Sequence, residues 1–249
     1  MAVATALASA QNPTALGHPE DYLRADIEYG ARLYAEHCDR CHGADGAGVN
    51  NVNLASGKFR TAVLDNQLRQ VITSGFPAAG MPSFRFDPSE LTGLVAWLRN
   101  MKSVDRGSLQ AGNAARGKQI FEGRGACRSC HRVDGVGSRK APDLSDIGLQ
   151  RSAGYLERIL VDPTGQLLPI NRPVHIVTRE GKSVDGRRLN EDTYTVQMVA
   201  EDGRPQSFVK NELREFTVSV KSAMPSYRGE LTPAEMADLV AWLLSLKGQ

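Results

Sequence analysis

The pentapeptide Cys-x-x-Cys-His occurs twice, as Cys38-Asp39-Arg40-Cys41-His42 and Cys127-Arg128-Ser129-Cys130-His131, and the two copies use all four cysteines of the 249-residue chain. On a helical turn, residues i, i+3 and i+4 share one face. Two thiols so placed reach the two vinyl groups of one porphyrin, and the imidazole that follows points at its iron. This spacing is therefore the attachment signature of c-type haem. Two other chemistries use the same pair of cysteines. A zinc ribbon brings its pairs within roughly 15–20 residues of each other, whereas the first cysteines here are 89 apart. A redox dithiol has no use for histidine at the next position. The motifs thus predict two covalently attached haem c groups, held by Cys38 and Cys41 and by Cys127 and Cys130, with His42 and His131 as iron ligands.

The motifs belong to a longer internal repeat. Copy one reads Gly30-x-x-x-Tyr34, the motif, Gly80-Met81-Pro82-Ser83-Phe84, then Leu94-Val95-Ala96-Trp97-Leu98. Copy two reads Gly117-x-x-x-Phe121, the motif, Ala223-Met224-Pro225-Ser226-Tyr227, then Leu239-Val240-Ala241-Trp242-Leu243. Helical spacing predicts helices over 27–37, 88–102 and 114–122, and Thr232-Pro233-Ala234-Glu235 opens a fourth as N-cap, N1 and N3.

The repeat is uneven: 39 residues separate His42 from Met81 and 93 separate His131 from Met224, so copy two carries 54 more. In the extra stretch, 174–179, 193–199 and 215–220 alternate and are rich in β-branched residues, and Glu180-Gly181 and Asp202-Gly203 read as hairpin turns. A small antiparallel sheet is expected at about 169–221, extra to a complete haem fold and suited to docking a partner. The domain plan is 11–103, a linker over 104–113, and 114–249.

Each iron also needs a sixth ligand or an open position, and methionine is a usual choice that raises the potential. Of six methionines only Met81 and Met224 occupy matching positions, each in a Met-Pro-Ser-aromatic loop before the last helix. Proline after the methionine restrains that loop. Met81 and Met224 are the expected axial ligands; Met101 and Met236 read as helix packing and Met198 as a strand residue. His18, His37 and His175 do not repeat and are not expected to ligate.

A net charge of +2 leaves no nucleic-acid footprint. The basic excess is local: 104–164 holds 10 basic and 7 acidic residues, with Arg124, Arg128, Arg132, Arg139 and Lys140 around the second motif, against 9 and 10 over 11–103. That predicts a port at the second haem, including Arg128 and Arg132, for an acidic partner. Residues 1–10 are uncharged, rich in alanine and end Ala8-Ser9-Ala10, like the end of a secretory signal that lacks its basic start. No stretch is apolar for the ~18 residues that a membrane span needs.

On the two helix–motif–Met-Pro–helix series, the chain resembles a di-haem class I cytochrome c over 25–103, 112–164 and 222–247. The resemblance implies a mainly α fold: two cytochrome c-like helical domains around haem, the second carrying the β insertion. That insertion is similar to one in cytochromes associated with quinoprotein dehydrogenases. Cys38, Cys41, His42 and Met81 match the first set of family positions, and Cys127, Cys130, His131 and Met224 the second. The implied function is single-electron transfer, with redox protein partners: a dehydrogenase, such as a quinoprotein, as donor and an oxidase or cytochrome as acceptor. The maturation of c-type haem places the expected location in the periplasm or otherwise outside the cytoplasmic membrane. The alternatives are a haem enzyme, acting on peroxide or a sulfur compound at one open iron, and a subunit docked in a larger complex.

Overall fold

The computed structural model describes residues 22–49, 52–56, 59, 62–105, 107, 109 and 112–248. The leader-like stretch 1–10, His18 and linker positions 106, 108, 110 and 111 lie outside them. The first repeat forms α1 (Arg24–His37), a single turn α2 (Asp39–His42), α3 (Asp65–Ser74) and α4 (Pro88–Asn100). The second forms α5 (Ala114–Glu122), a two-residue hairpin of β1 (Arg132–Val133) and β2 (Val136–Gly137), α6 (Ile147–Gln150), α7 (Ala153–Val161), a sheet, and α8 (Pro233–Ser245).

In each repeat the first and last helices cross at a glycine. A Cβ on Gly30 would overlap the Gly93 carbonyl, and one on Gly117 the Asp238 carbonyl. The aromatic pairs of the repeat seal these crossings, Tyr34 with Trp97 at 6.3 Å and Phe121 with Trp242 at 4.4 Å between ring centroids. Such a pair contributes about 0.5–1.5 kcal/mol beyond its buried area. In α8, Thr232 and Glu235 form the expected capping box behind Pro233. An N-cap of this kind is worth ~1 kcal/mol.

The two helical units share one apolar core that runs from Leu33, Leu94 and Trp97 to Phe121, Leu156 and Leu239. Polar bonds tie its margins. The buried Asp26 carboxylate accepts from the Gly154 N–H in the first turn of α7 at 2.9 Å, and the buried Ser89 hydroxyl donates to the Gly148 carbonyl at 2.8 Å. Lys247 pairs with Asp87 and Glu90 across the same junction.

The inserted sheet has five strands: β3 (Pro173–Thr178), β4 (Ser183–Glu191), β5 (Thr195–Ala200), β6 (Pro205–Val209) and β7 (Leu213–Val218). Their order is β6-β5-β4-β3-β7, and every pairing is antiparallel, with Ile176 opposite both Val184 and Phe216. It has its own core, in which Ile176, Val196 and Met198 are wholly buried. The neck of the insertion is closed by bonds from Ser219 N–H to the Pro173 carbonyl at 2.8 Å and from Ser222 N–H to the Thr164 hydroxyl at 3.2 Å. The three expected strands correspond to β3, β5 and β7. Gly181 and Gly203 occupy turns with positive φ, as the hairpin signals require.

Candidate haem sites

Both motifs close the same backbone bond. The His42 N–H donates to the Cys38 carbonyl at 2.9 Å, and the His131 N–H to the Cys127 carbonyl at 2.8 Å. Cysteine, cysteine and histidine therefore share a turn in each copy. The approach differs. α1 continues almost directly into its motif, whereas Cys127 lies ten positions after Gly117 where Cys38 lies eight after Gly30. Those extra residues end α5 at Glu122, and Ala126 takes a left-handed conformation, φ 48°, to aim the second motif.

All four thiols are free; Cys38 and Cys127 are half-buried against the helical core, and Cys41 and Cys130 are exposed. Burial pushes the Cys38 thiol up to about 11 and also raises that of Cys127. A thiol held protonated is a poor exchange nucleophile and a poor zinc ligand. Among the described residues, no three His, Cys, Asp or Glu side chains converge as a metal-binding group. The dithiol and zinc readings thus find no support in the geometry.

Burial favours the neutral form of both histidines, but only one has a hydrogen-bond partner on Nδ1. The Nδ1 atom of His131 lies 2.8 Å from the Pro142 carbonyl, which can only accept, so Nδ1 carries the proton and Nε2 keeps its lone pair. Burial pushes this ring below the usual histidine range; the Pro142 bond opposes that and the nearby Arg187 charge adds to it. Burial also lowers His42, but its Nδ1 is buried with no hydrogen-bond partner. Neutral imidazoles beside unbridged thiol pairs fit a covalently attached haem.

The two methionine loops are pinned to the preceding helices. In copy one, Phe76 and Met81 exchange backbone bonds of 3.0 and 3.1 Å, and the Phe84 N–H donates to Ile72 of α3 at 3.3 Å. Phe86 in the same segment lies edge-on to His37, centroids 5.2 Å apart, which returns the loop to its motif. In copy two the Tyr227 N–H donates to Leu160 of α7 at 2.9 Å, and the Ser226 hydroxyl to Val161 at 2.6 Å. The Tyr227 hydroxyl donates to the Gly125 carbonyl at 2.6 Å and lies 3.9 Å from the Cys127 sulfur. Met224 packs against the helical core.

Of the other methionines, Met101 and Met236 are buried in the helical core and Met198 in the sheet core. His37 is exposed, and His175 on β3 bonds Asp185 at 2.8 Å.

Ion pairs divide the basic residues of the expected port. Arg124 pairs with Glu235, and Arg128 with Glu122 at 2.6 Å. Both are neutralised locally. Arg132, Arg139 and Lys140, on the segment beyond the motif, have no ion pair among the described residues. The sheet does not stand clear of this segment. Arg187 of β4 donates from Nε to the Lys140 carbonyl at 3.3 Å, and Arg139 lies against the Gly203 turn. Tyr227 is part of a repeated loop, but Pro142 and Arg187 carry no sequence signal, because Pro142 acts through its own carbonyl and Arg187 on a carbonyl 47 residues away.

A family model for subunit III of cbb3-type cytochrome c oxidase matches residues 25–98, and one for cytochrome c matches 114–192. The second match takes in β3 and β4 and stops short of Met224. No curated protein matches the chain. Among solved structures, a chain of the Kuenenia stuttgartiensis reducing HAO-like protein complex is 19% identical over 92% of this chain and 100% of its own, with a TM-score of 0.26. The chain belongs to the class I cytochromes c. It carries two cytochrome c-type domains in tandem, and is an electron-transfer protein of covalently bound haem c that acts with redox partners. No described helix is long and apolar enough to cross a membrane.

Proposed function

We propose that the protein is a periplasmic di-haem cytochrome that passes single electrons from a dehydrogenase to a terminal oxidase or another cytochrome. Cys38 and Cys41 hold the first haem and Cys127 and Cys130 the second, with His42 and Met81, and His131 and Met224, as the axial pairs. Haem supplies one-electron exchange at iron that needs little change in geometry. The protein holds the imidazoles neutral and restrains each methionine in a proline-stiffened loop. The observation that carries this reading is the duplication: in both repeats a methionine loop is pinned to the preceding helix and carried back to its own Cys-x-x-Cys-His turn. A filled sixth position favours electron transfer over bond chemistry at iron.

Replacing Met81 with alanine should abolish the sulfur-to-iron charge-transfer band of one haem and lower its potential, leaving the other unchanged. Replacing Met224 should do the same to the second. Oxidised spectra that survive both substitutions unchanged would refute the ligand assignment, and a high-spin haem in the unmodified protein would favour an enzyme.

A further inference from the structure

The segment 138–144 is the outer wall of the second motif. Its backbone bonds return to the motif one after another: Ser138 N–H to Arg128 at 3.1 Å, Ala141 N–H to Cys130 at 2.9 Å, and Leu144 N–H to Arg132 at 2.9 Å. Within it lies Pro142, whose carbonyl fixes the His131 ring. The inserted sheet grips this wall from outside. Arg187 is the tie: its Nε donates to the Lys140 carbonyl at 3.3 Å, and its Nη1 to the Asn171 side chain at 3.2 Å. A cleft of about 370 Å³ runs along the contact, with Arg132, Arg139 and Asp143 on one side and Arg187, Val199 and Pro205 on the other. None of its three arginines is in an ion pair among the described residues. Asp143 is its single acid. Arg187 is half-buried at this wall, one hydrogen bond from the segment that carries Pro142.

We propose that Arg187, a residue of the inserted sheet, is a positioning residue for the second haem: it holds the wall that orients His131 and places there a fixed positive charge that favours the ferrous state. The inference rests on the reading of His131 as an iron ligand. The physical ground is simple. Oxidation adds one positive charge at iron, and a nearby cation raises the cost of that charge. A half-buried guanidinium is screened by salt less than an exposed one, and arginine stays protonated throughout the working range. The bonds to Lys140 and Asn171 keep the charge in one place. In the first domain no sheet packs behind the motif among the described residues, and His42 Nδ1 has no partner. The sheet is therefore part of the haem-2 surroundings, and the second potential is set partly by a strand residue that the first domain has no counterpart for.

The test is a spectroelectrochemical titration of the full-length holoprotein, with haem 1 as internal reference. Arg187→Gln keeps a donor and removes the charge; it should shift the haem-2 potential downward and leave haem 1 in place. Arg187→Lys should restore most of that shift. Arg179→Gln, at the far end of the sheet, removes the same charge and should move neither. If Arg187→Gln does not fold, Arg139→Gln reads the same field from an exposed side chain and should lower haem 2 by a smaller amount. Two wild-type haems with the haem-2 potential unmoved by Arg187→Gln, or by Arg139→Gln in its place, would overturn this proposal alone. So would failure of lysine to rescue, which would reduce Arg187 to a packing role. Absence of a haem on the second domain of the wild-type protein would overturn the functional reading itself.

Discussion

The two haem domains share four sequence elements and differ in what stands behind the histidine. In the first, α1 runs straight into the motif, and His42 Nδ1 is buried without a partner. In the second, a separate turn delivers the motif, the Pro142 carbonyl holds His131, and a five-stranded sheet braces the segment that carries it. The helix crossings differ too. Gly93 faces Gly30 in one, while Asp238 occupies the matching place in the other and binds Arg116 at 2.6 Å and the Asn113 N–H at 2.6 Å. On the proposed ligand set, the elements that would hold haem are repeated, whereas those packed beside the histidines are not. On that reading the two sites have no reason to share one potential.

The equivalence of the crossings is open to a direct test. Gly30→Ala and Gly117→Ala each drive a methyl into a facing carbonyl. Each should destabilise the protein by at least ~1–3 kcal/mol, the cost of overpacking a tight contact, read as a lower denaturation midpoint. Similar losses would support two equivalent crossings. A loss confined to one would show that the other helix pair can slide apart.

A smaller effect should appear where the two domains meet. Burial raises the Asp26 carboxyl above the usual carboxylate range, against the bonds from Gly154 and Ser152 that lower it. A carboxyl whose folded-state pKa is raised binds its proton more tightly in the folded protein. Its contribution to stability is therefore full below the unfolded value, ~3.9, and is lost as pH rises through the folded value. Asp26→Asn retains an oxygen to accept from the Gly154 N–H and has no charge to bury. The variant should be the more stable at pH 7, with the two stability curves converging near pH 3. A variant less stable at pH 7 would mean that the carboxylate charge strengthens the junction.

Much of this arrangement is legible in the sequence. Cysteine spacing, the repeated Met-Pro-Ser-aromatic loops and the Thr232–Glu235 cap are local codes, and the structure forms each of them locally. The helices α3 and α7 carry no such code. α3 buries only Leu68 and Ile72, too short a stripe to show a period. β4 and β6 are silent in the sequence for another reason. Ser183–Glu191 carries two acidic and two basic residues, with a glycine at 186, and holds its place through pairing with β3 and β5 rather than through its own propensity. Arg187 lies in that unread strand. Its contact with the Lys140 carbonyl spans 47 residues and depends on how the sheet folds back, which no local pattern encodes.

The account stands most directly on a potentiometric titration of the purified protein, followed optically and by electron paramagnetic resonance, with haem counted by mass. It predicts two covalently bound haems, both low-spin in the oxidised state with His/Met signatures, that titrate as two distinct one-electron waves. A single haem, or one haem that is high-spin and binds small ligands in the oxidised protein, would contradict it.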